Sequence, residues 1–569
     1  MRKVLLCIVL IAVSAALVMA AGQTDRTAAT TVRVNPPGTY PIVDEKVTIT
    51  VWTRYGAVEH DGNYQGAAFT AWFEDLTNVH LDFVDIVEGQ AATERLNLVL
   101  ASGDLPDTFM NQHLMGGQEV FTNGIFGNFI PVDDLIENWM PALSATLEQY
   151  PTEAAQLVMP DGKRYSFPSL EGTCYHCTMS RKMWVYMPWL EELGLDVPET
   201  TEDFYRMLVA FRDGDPNGTG RADTIPLTGA ATGGWNATPL APYLMSAFIY
   251  TDPGNYLMRD GGRISFVANT PEWREGVRYM ARLYREGLMQ PDWFTQDAGQ
   301  LRSTVENPGP ALVGAVPAGW YGVFSINGWD GSGRFADFHS IAPLAGPAGV
   351  RQSVYAPMAI QHHTVISSSA RHPEVIARLN DWFYESVENR EIGNNWIWPD
   401  VDYRWLTEEE IAAGNLLARD FSVADYVLIR EQTYGEDRAW DGWRRLAPAW
   451  VAGGGNAMPP EWADDPTKQE WRLAEATRDL YEPFKVERFM PPNLIVADEV
   501  QDELADLRQL IIGVAGAPGL VEQFYAEFVT GARDINNDAH WRAYTTELER
   551  AGVNRYVEIM QETVTAAGY

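Results

Sequence analysis

The chain has 569 residues, too many for one compact core, and its 46% hydrophobic content is that of a globular protein. Acidic residues number 77 against 42 basic ones, and the formal net charge of −35 repels nucleic acid and anionic lipid. Two or three lobes with separate cores are expected, and nucleic-acid partners are excluded.

The N-terminus reads as a signal peptide over residues 1–21. Arg2-Lys3 precede an apolar run, Val4 to Val18, too short to span a membrane comfortably, and Val18-Met19-Ala20 offers small residues for cleavage near Ala21 or Gly22. The alternative is an uncleaved anchor helix. Cys7 lies inside the apolar run, too early for lipid attachment, so an exported protein without a lipid anchor is expected, periplasmic or extracellular. Residues 22–44 are polar with Pro36-Pro37-Gly38 and read as a flexible tether.

Val47–Trp52 alternates and is β-branched, the mark of a strand. A helix over Gln65–Thr77, a strand over Val79–Val87 and a helix over Glu94–Ala101 follow, and Ser102-Gly103-Asp104-Leu105-Pro106-Asp107 leads into another strand. That rhythm predicts an α/β fold with a parallel, doubly wound sheet. The mature chain keeps two cysteines, Cys174 and Cys177, for which a local disulfide and two free thiols both remain open.

Residues 193–227 carry the most specific signal. Pro198 and Thr200-Thr201 precede an acidic first turn, Glu202-Asp203, and Phe204, Met207, Leu208 and Phe211 follow at helical spacing. From Asp213 to Asp223, oxygen-bearing side chains then alternate in a Gly-rich loop. Alternation in a tight loop aims successive oxygens at one centre, as a hard cation such as calcium requires; the competing reading is an Asp/Gly/Pro turn without metal.

Several aromatic rings sit in Gly- or Asn-rich loops rather than at helical spacing: Trp52-Thr-Arg-Tyr55, Gly233-Gly-Trp-Asn236, Gly319-Trp-Tyr321 and Asn394-Asn-Trp-Ile-Trp398. Flat rings pack on the C–H faces of sugars, while amides and carboxylates bond their hydroxyls. Candidate ligand-binding residues are therefore Tyr55, Asp104, Trp235, Asn236, Trp320, Tyr321, Asn395, Trp396 and Trp398. Trp382, Trp471 and Trp541, at helix positions, are assigned to packing. Helical periodicity returns over 371–391, 407–434, 468–482, 496–512 and 539–565. His362-His363 are neighbours in a strand and point to opposite faces, and no Gly-x-Ser-x-Gly, Walker loop or HExxH is present, so no catalytic residues are assigned.

The stretch 193–227 resembles the extracellular solute-binding proteins of carbohydrate ABC transporters, in the long branch that includes Gram-positive lipoproteins and alginate-binding proteins. Ser102–Asp107, Leu283-Tyr-Arg-Glu-Gly-Leu288 with Pro291-Asp-Trp-Phe294, Arg371–Tyr384, and Phe528-Val-Thr-Gly531 with Trp541, Tyr544, Leu548 and Gly552 carry the same resemblance in the family's order. It implies a two-lobed periplasmic-binding-protein type II fold with an interlobe cleft: lobe one at 45–180, lobe two at 181–365, and a helix-rich segment, 366–569, returning to both. The alginate-binding relatives hold calcium in a loop of form D-x-N-x-N-x-K-x-D-E. By that match Asp215, Asn217, Thr219 and Asp223 supply side-chain oxygens and Arg221 its carbonyl, while Thr224 replaces the final Glu. Asp213 offers a compensating carboxylate in a shifted frame. Calcium would be structural. The implied function is that of a monomeric, non-enzymatic protein that captures an oligosaccharide and delivers it to ABC permease subunits; an exported polysaccharide lyase or glycoside hydrolase and a sugar-sensing receptor partner are the alternatives.

Overall fold

The computed structural model describes residues 32–55, 64–171, 175–234, 237–325, 333–356, 360–386, 469–514 and 517–569, with short pieces between 388 and 451. In chain order the elements that position the site begin with β1 (Val47–Tyr55), α1 (Ala68–Thr77), β2 (Val79–Glu88), α2 (Gly89–Ser102), β3 (Thr108–Met115) and α3 (Gly117–Ile125). Next come β4 (Phe167–Glu171), β5 (Lys182–Tyr186), α4 (Thr201–Asp213), β6 (Ile225–Leu227), α5 (Pro271–Arg285) and β7 (Val313–Ala318). They are followed by β8 (Phe338–Ile341), β9 (Ile360–Ile366), α6 (Pro373–Asp381), β10 (Trp450–Val451) and α7 (Gln469–Ala476). The chain closes on α8 (Asp498–Ile511), α9 (Leu520–Thr530), α10 (Asp538–Arg550) and α11 (Val553–Ala566).

Two sheets organise these elements. The first has the order β10-β4-β9-β3-β1-β2, with β1 parallel to β2 and β3 while β9 runs antiparallel to β3 and β4. The second has the order β8-β5-β7-β6, with β6 parallel to β7 and β5 antiparallel to both its neighbours. Both faces of β1 are buried: Ile49 and Val51 pack with Phe69 and Phe73 of α1, and Trp52 packs with Leu96 of α2 and Val120 of α3. A parallel sheet whose crossover helices cover both faces behaves this way. The second sheet has its own core, which α4 enters with Phe204, Met207, Leu208 and Phe211. Thr200 caps α4 by accepting a bond from the Asp203 backbone at 3.0 Å, and Asp203 Oδ2 accepts the Thr200 backbone N–H at 3.1 Å.

The later helices divide between the cores. Val375, Ile376 and Leu379 of α6, with Trp382 and Phe383, join the first, and Leu504, Phe524, Phe528, Tyr544, Leu548, Tyr556 and Ile559 join the second.

Several sequence expectations are corrected. β9 falls within the segment drawn as lobe two, yet it pairs in the first sheet. The tether drawn over 22–44 is docked from Val32 onward: Ile42 and Val43 are fully buried in the first core, and Tyr40 donates to Glu385 Oε1 at 2.8 Å. The apolar pair Ile42-Val43 outweighs the polar composition around it. Within 407–434, read as helix, Tyr426–Leu428 is a strand paired with Tyr403–Trp405. The helix read over 539–565 is two helices, broken at Gly552 with φ 87°.

The Ser102–Asp107 motif is a staple at the amino end of the first sheet. Buried Asp107 accepts from the Thr50 N–H at 2.8 Å and the Thr50 hydroxyl at 2.7 Å through Oδ2, and from the Arg371 N–H at 3.3 Å through Oδ1. It thus ties β1 to the turn between β9 and α6. Asp107→Ala strands these donors and should cost about 3 kcal/mol of folding free energy, read from the denaturant midpoint.

His362 on β9 is buried against Ser166, whose Oγ lies 2.8 Å from its Nδ1, and burial pushes the imidazole down to about 4. The folded state holds the neutral ring, so its contribution is complete above about pH 6.5 and is lost as pH falls toward 4, on the order of 3 kcal/mol in all. A His362→Gln variant should lose less stability than the parent between about pH 7 and about pH 4.5.

Candidate functional site: a ligand cleft and a cation loop

Ligands of open α/β sheets bind outside the carboxyl ends of parallel strands, because there the connecting loops are free of helix packing. In the first sheet that edge holds the ends of β1 and β3. Thr53, near the end of β1, and Asn111, midway along β3, lie side by side below that edge, both buried, with the Asn111 amide donating to the Thr53 hydroxyl at 3.1 Å. Tyr55 is the last residue of β1.

In the second sheet the loops leaving β6 and β7 come together. A Cβ at Gly234 would lie 2.9 Å from Val323 Cγ1 and 3.2 Å from Ala298 Cβ, so only glycine admits this approach. Gln296 pins the first loop: its side-chain amide donates to Thr228 Oγ1 at 2.9 Å and Gly229 O at 2.6 Å, and its backbone carbonyl accepts from the Ala231 N–H at 2.9 Å. Trp320, half-buried, lies flat over Gly322, where a Cβ would stand 2.4 Å from the indole.

The sequence candidates separate on this geometry. The Gly233-Gly234 and Gly319-Trp320-Tyr321 segments meet at one sheet edge. Trp235, Asn236, Asn395, Trp396 and Trp398 lie outside the described residues. Tyr321 is corrected: it is 1% exposed, its ring 4.5 Å from Trp184 and 5.4 Å from Phe335, and it serves as core. Asp104 lies elsewhere, beside the first sheet. It precedes β3 and so lies at the amino end of the sheet, where it lines a groove of about 510 Å³ with Thr50, Trp52, Arg95 and Leu98. The motif containing Asp104 leads into β3, where Asn111 is the fourth of eight residues. Asn111, Thr53, Thr228 and Gln296 escaped the sequence reading; no local signal in the strand singles out Asn111.

The loop between α4 and β6 is held by hydrogen bonds among Asp215, Asn217, Thr219 and Asp223. Asp215 sits at φ 48°, and its two carboxylate oxygens accept the N–H groups of Thr219 at 3.1 Å and Gly220 at 2.9 Å. Asp223 Oδ1 accepts from the Asn217 amide at 2.9 Å and the Thr219 hydroxyl at 2.8 Å, while Arg221 Nε donates to Oδ2 at 2.9 Å. Those bonds, with Asn217 first, hold the Asp223 carboxyl below its ordinary range. Asp213 does not join them. Its carboxylate is engaged by Arg212 at 2.7 and 2.8 Å. The side chains of this loop carry carboxylate, amide and hydroxyl oxygens, the donor chemistry a hard cation takes, so the residue types fit calcium. Among the described residues no group of three or more His, Cys, Asp or Glu is placed to hold a metal. Cys177 is disulfide-bonded; Cys174 lies outside the described residues. Among the described residues no helix is long and apolar enough to cross a membrane.

Comparison with known proteins gives the same picture. The chain is 27% identical over 503 residues to the fructooligosaccharide ABC transporter substrate-binding protein FusA of Streptococcus pneumoniae, covering 86% of this chain and 85% of that one. A solved structure of S. pneumoniae FusA, an EF-hand mutant in complex with fructo-nystose, matches with TM-score 0.67 at 24% identity, covering 91% of this chain and 99% of that one. An HMO binding ABC-transporter associated solute binding protein from Bifidobacterium longum infantis matches with TM-score 0.71 at 18% identity, covering 92% and 99%. These structural likenesses establish the two-domain fold. The family model for bacterial extracellular solute-binding proteins matches residues 59–386, more than half of the chain, and the protein belongs to that family.

Proposed function

We propose that this protein captures an oligosaccharide outside the cytoplasmic membrane and delivers it to ABC permease subunits. The observation that carries this reading is the likeness to a fructooligosaccharide-binding relative over 86% of the chain. The sheet-edge residues support it: hydroxyls, amides and a half-buried indole suit a sugar's rim and faces, and supply no nucleophile with an adjacent base. Trp320 is the described residue that faces the cleft in this reading, with buried Thr53 and Asn111 supporting its other side, and Tyr55, Trp235, Asn236, Asn395, Trp396 and Trp398 complete it. The protein acts as an exported monomer whose signal peptide is removed near Ala21 or Gly22.

Thermal-shift screening of the purified mature chain against fructooligosaccharides, uronate oligomers and pentose oligomers tests the reading. One class should raise the melting temperature with no turnover, and conversion of an oligosaccharide by the protein alone would overturn it. Trp320→Ala should then weaken binding by on the order of 1–3 kcal/mol with little loss of stability. Tyr321→Ala should instead cost about 3–5 kcal/mol of folding free energy, since it empties a core site. Calorimetric titration and melting on the same two variants separate these outcomes.

We propose also that the loop at 215–223 holds calcium through side-chain oxygens of Asp215, Asn217, Thr219 and Asp223 and the Arg221 carbonyl. The donor set supports this, as does the solved relative described as an EF-hand mutant. Calcium there would supply a charge centre that pins the loop between α4 and β6. A ligand that binds only the folded state raises the melting temperature by mass action, so EDTA should lower it and calcium should restore it. Asp215→Ala should melt at one temperature in either buffer, at or below that of the chelated parent, because Thr219 and Gly220 also lose their acceptor.

A further inference from the structure

We infer that the Arg221 guanidinium competes with calcium for Asp223, so that an internal cation holds the loop when calcium is scarce and weakens calcium binding when it is present. This rests on the reading of the loop as a calcium site. Arg221 approaches one oxygen of Asp223 with two nitrogens, Nε at 2.9 Å and Nη2 at 2.7 Å. The other oxygen is turned inward to Asn217 and Thr219. Both Asp215 oxygens take backbone N–H groups at 3.1 and 2.9 Å. Both carboxylates of the loop are therefore satisfied by the chain itself.

Charge makes the competition matter. Calcium affinity in oxygen loops follows the number of formal charges among the ligands. This loop has two carboxylates, Thr224 adds none, and Asp213 is held by Arg212. One arginine on Asp223 thus offsets half of the available negative charge. The Arg221 side chain is 73% exposed, against 25% for Asp223, so the guanidinium is the outer partner and can leave into water. Its two roles in the loop are separable: the backbone carbonyl is the ligand and the side chain is the rival.

Replacing the side chain leaves every oxygen in place, which makes the test direct. Arg221→Gln removes the charge, and Arg221→Lys keeps the charge but loses the fork. Calorimetric titration of the full mature chain with calcium chloride should show Arg221→Gln binding about tenfold tighter than the parent, the size of a screened interaction between a unit charge and a dication a few ångströms apart. Arg221→Lys should stay within about threefold of the parent, because the charge remains. The melting-temperature drop on adding EDTA should also be larger for Arg221→Gln, since its calcium-free loop has lost the internal cation. Asp215→Ala should abolish binding in both backgrounds. If the parent binds calcium and Arg221→Gln binds equally or more weakly, the arginine is not a rival and the inference falls alone. If neither parent nor Arg221→Gln binds calcium, the calcium reading of the loop fails and takes this inference with it.

Discussion

The parallel pairing of β1 with β2 and β3 constrains everything else in the first lobe. Parallel neighbours cannot be joined by a hairpin, so each return path is a helix, and the helices occupy both faces of the sheet. Ile49 and Val51 are buried on one side and Trp52 on the other for that reason. With both faces covered by helices, the strand ends carry the loops, and at the amino end Asp107 binds Thr50 and the Arg371 turn beside the groove that Asp104 lines. The same logic in the second sheet sends the loops after β6 and β7 to one edge, where Gly234 lets them touch.

Joining two such lobes requires the chain to cross between them more than once, and the crossings are held by buried polar groups. Lys182, at the start of β5, is fully buried and donates to Met179 O at 2.6 Å and His176 O at 3.1 Å, just after the chain has left β4. Burial pushes its ammonium down to about 7. A second crossing is fixed by Asn493, whose amide reaches Ile360 O at 2.8 Å and Gln156 Oε1 at 3.2 Å, and by the Val496 N–H donating to Gln118 Oε1 at 2.8 Å. Directional bonds at a crossing fix a register that apolar packing alone would leave free to slide. Lobes that close on a ligand need such fixed points.

Where the sequence was legible, the determining contacts were local. Thr200 and Asp203 are three residues apart and cap one helix; Phe204, Met207, Leu208 and Phe211 repeat at its period; Asp215 to Asp223 form one loop. Each can be read within a dozen residues. The failures depend on partners far along the chain. β9 joins β3 and β4 across some two hundred residues, and nothing within Ile360–Ile366 says which sheet will accept it. Residues 32–44 dock because Ile42 and Val43 find a core built by later segments. Trp320 and Tyr321 are adjacent aromatics after one glycine, and only the fold decides that the tyrosine turns onto Trp184 while the tryptophan stays half-buried.

The bias of this chain toward arginine, with only six lysines among 42 basic residues, has a physical use in that long-range assembly. A guanidinium offers five donors in a rigid fork and can bind two elements at once, which an ammonium on a flexible stem does less well. Arg274 of α5 donates to Ile535 O at 3.1 and 2.9 Å and pairs with Asp538 at 2.8 Å, fastening α10 to the second core. Arg555 of α11 grips both oxygens of Glu503 on α8 at 3.0 and 3.1 Å. Arg212, at the end of α4, reaches Glu286 O at 2.6 Å beyond α5 while holding Asp213. Most of these forks stay partly in water, where a permanent charge costs little. Arg378 does not: it is fully buried and, unlike Lys182, cannot shed its proton. Its compensation comes from the charge of Asp381 on the same helix and from the N-terminal segment, through Thr39 O at 3.3 Å and the Tyr40 ring at 5.5 Å. Releasing that segment would take the last two of these from a charged guanidinium, which is a reason for residues 32–44 to be bound to lobe one rather than free.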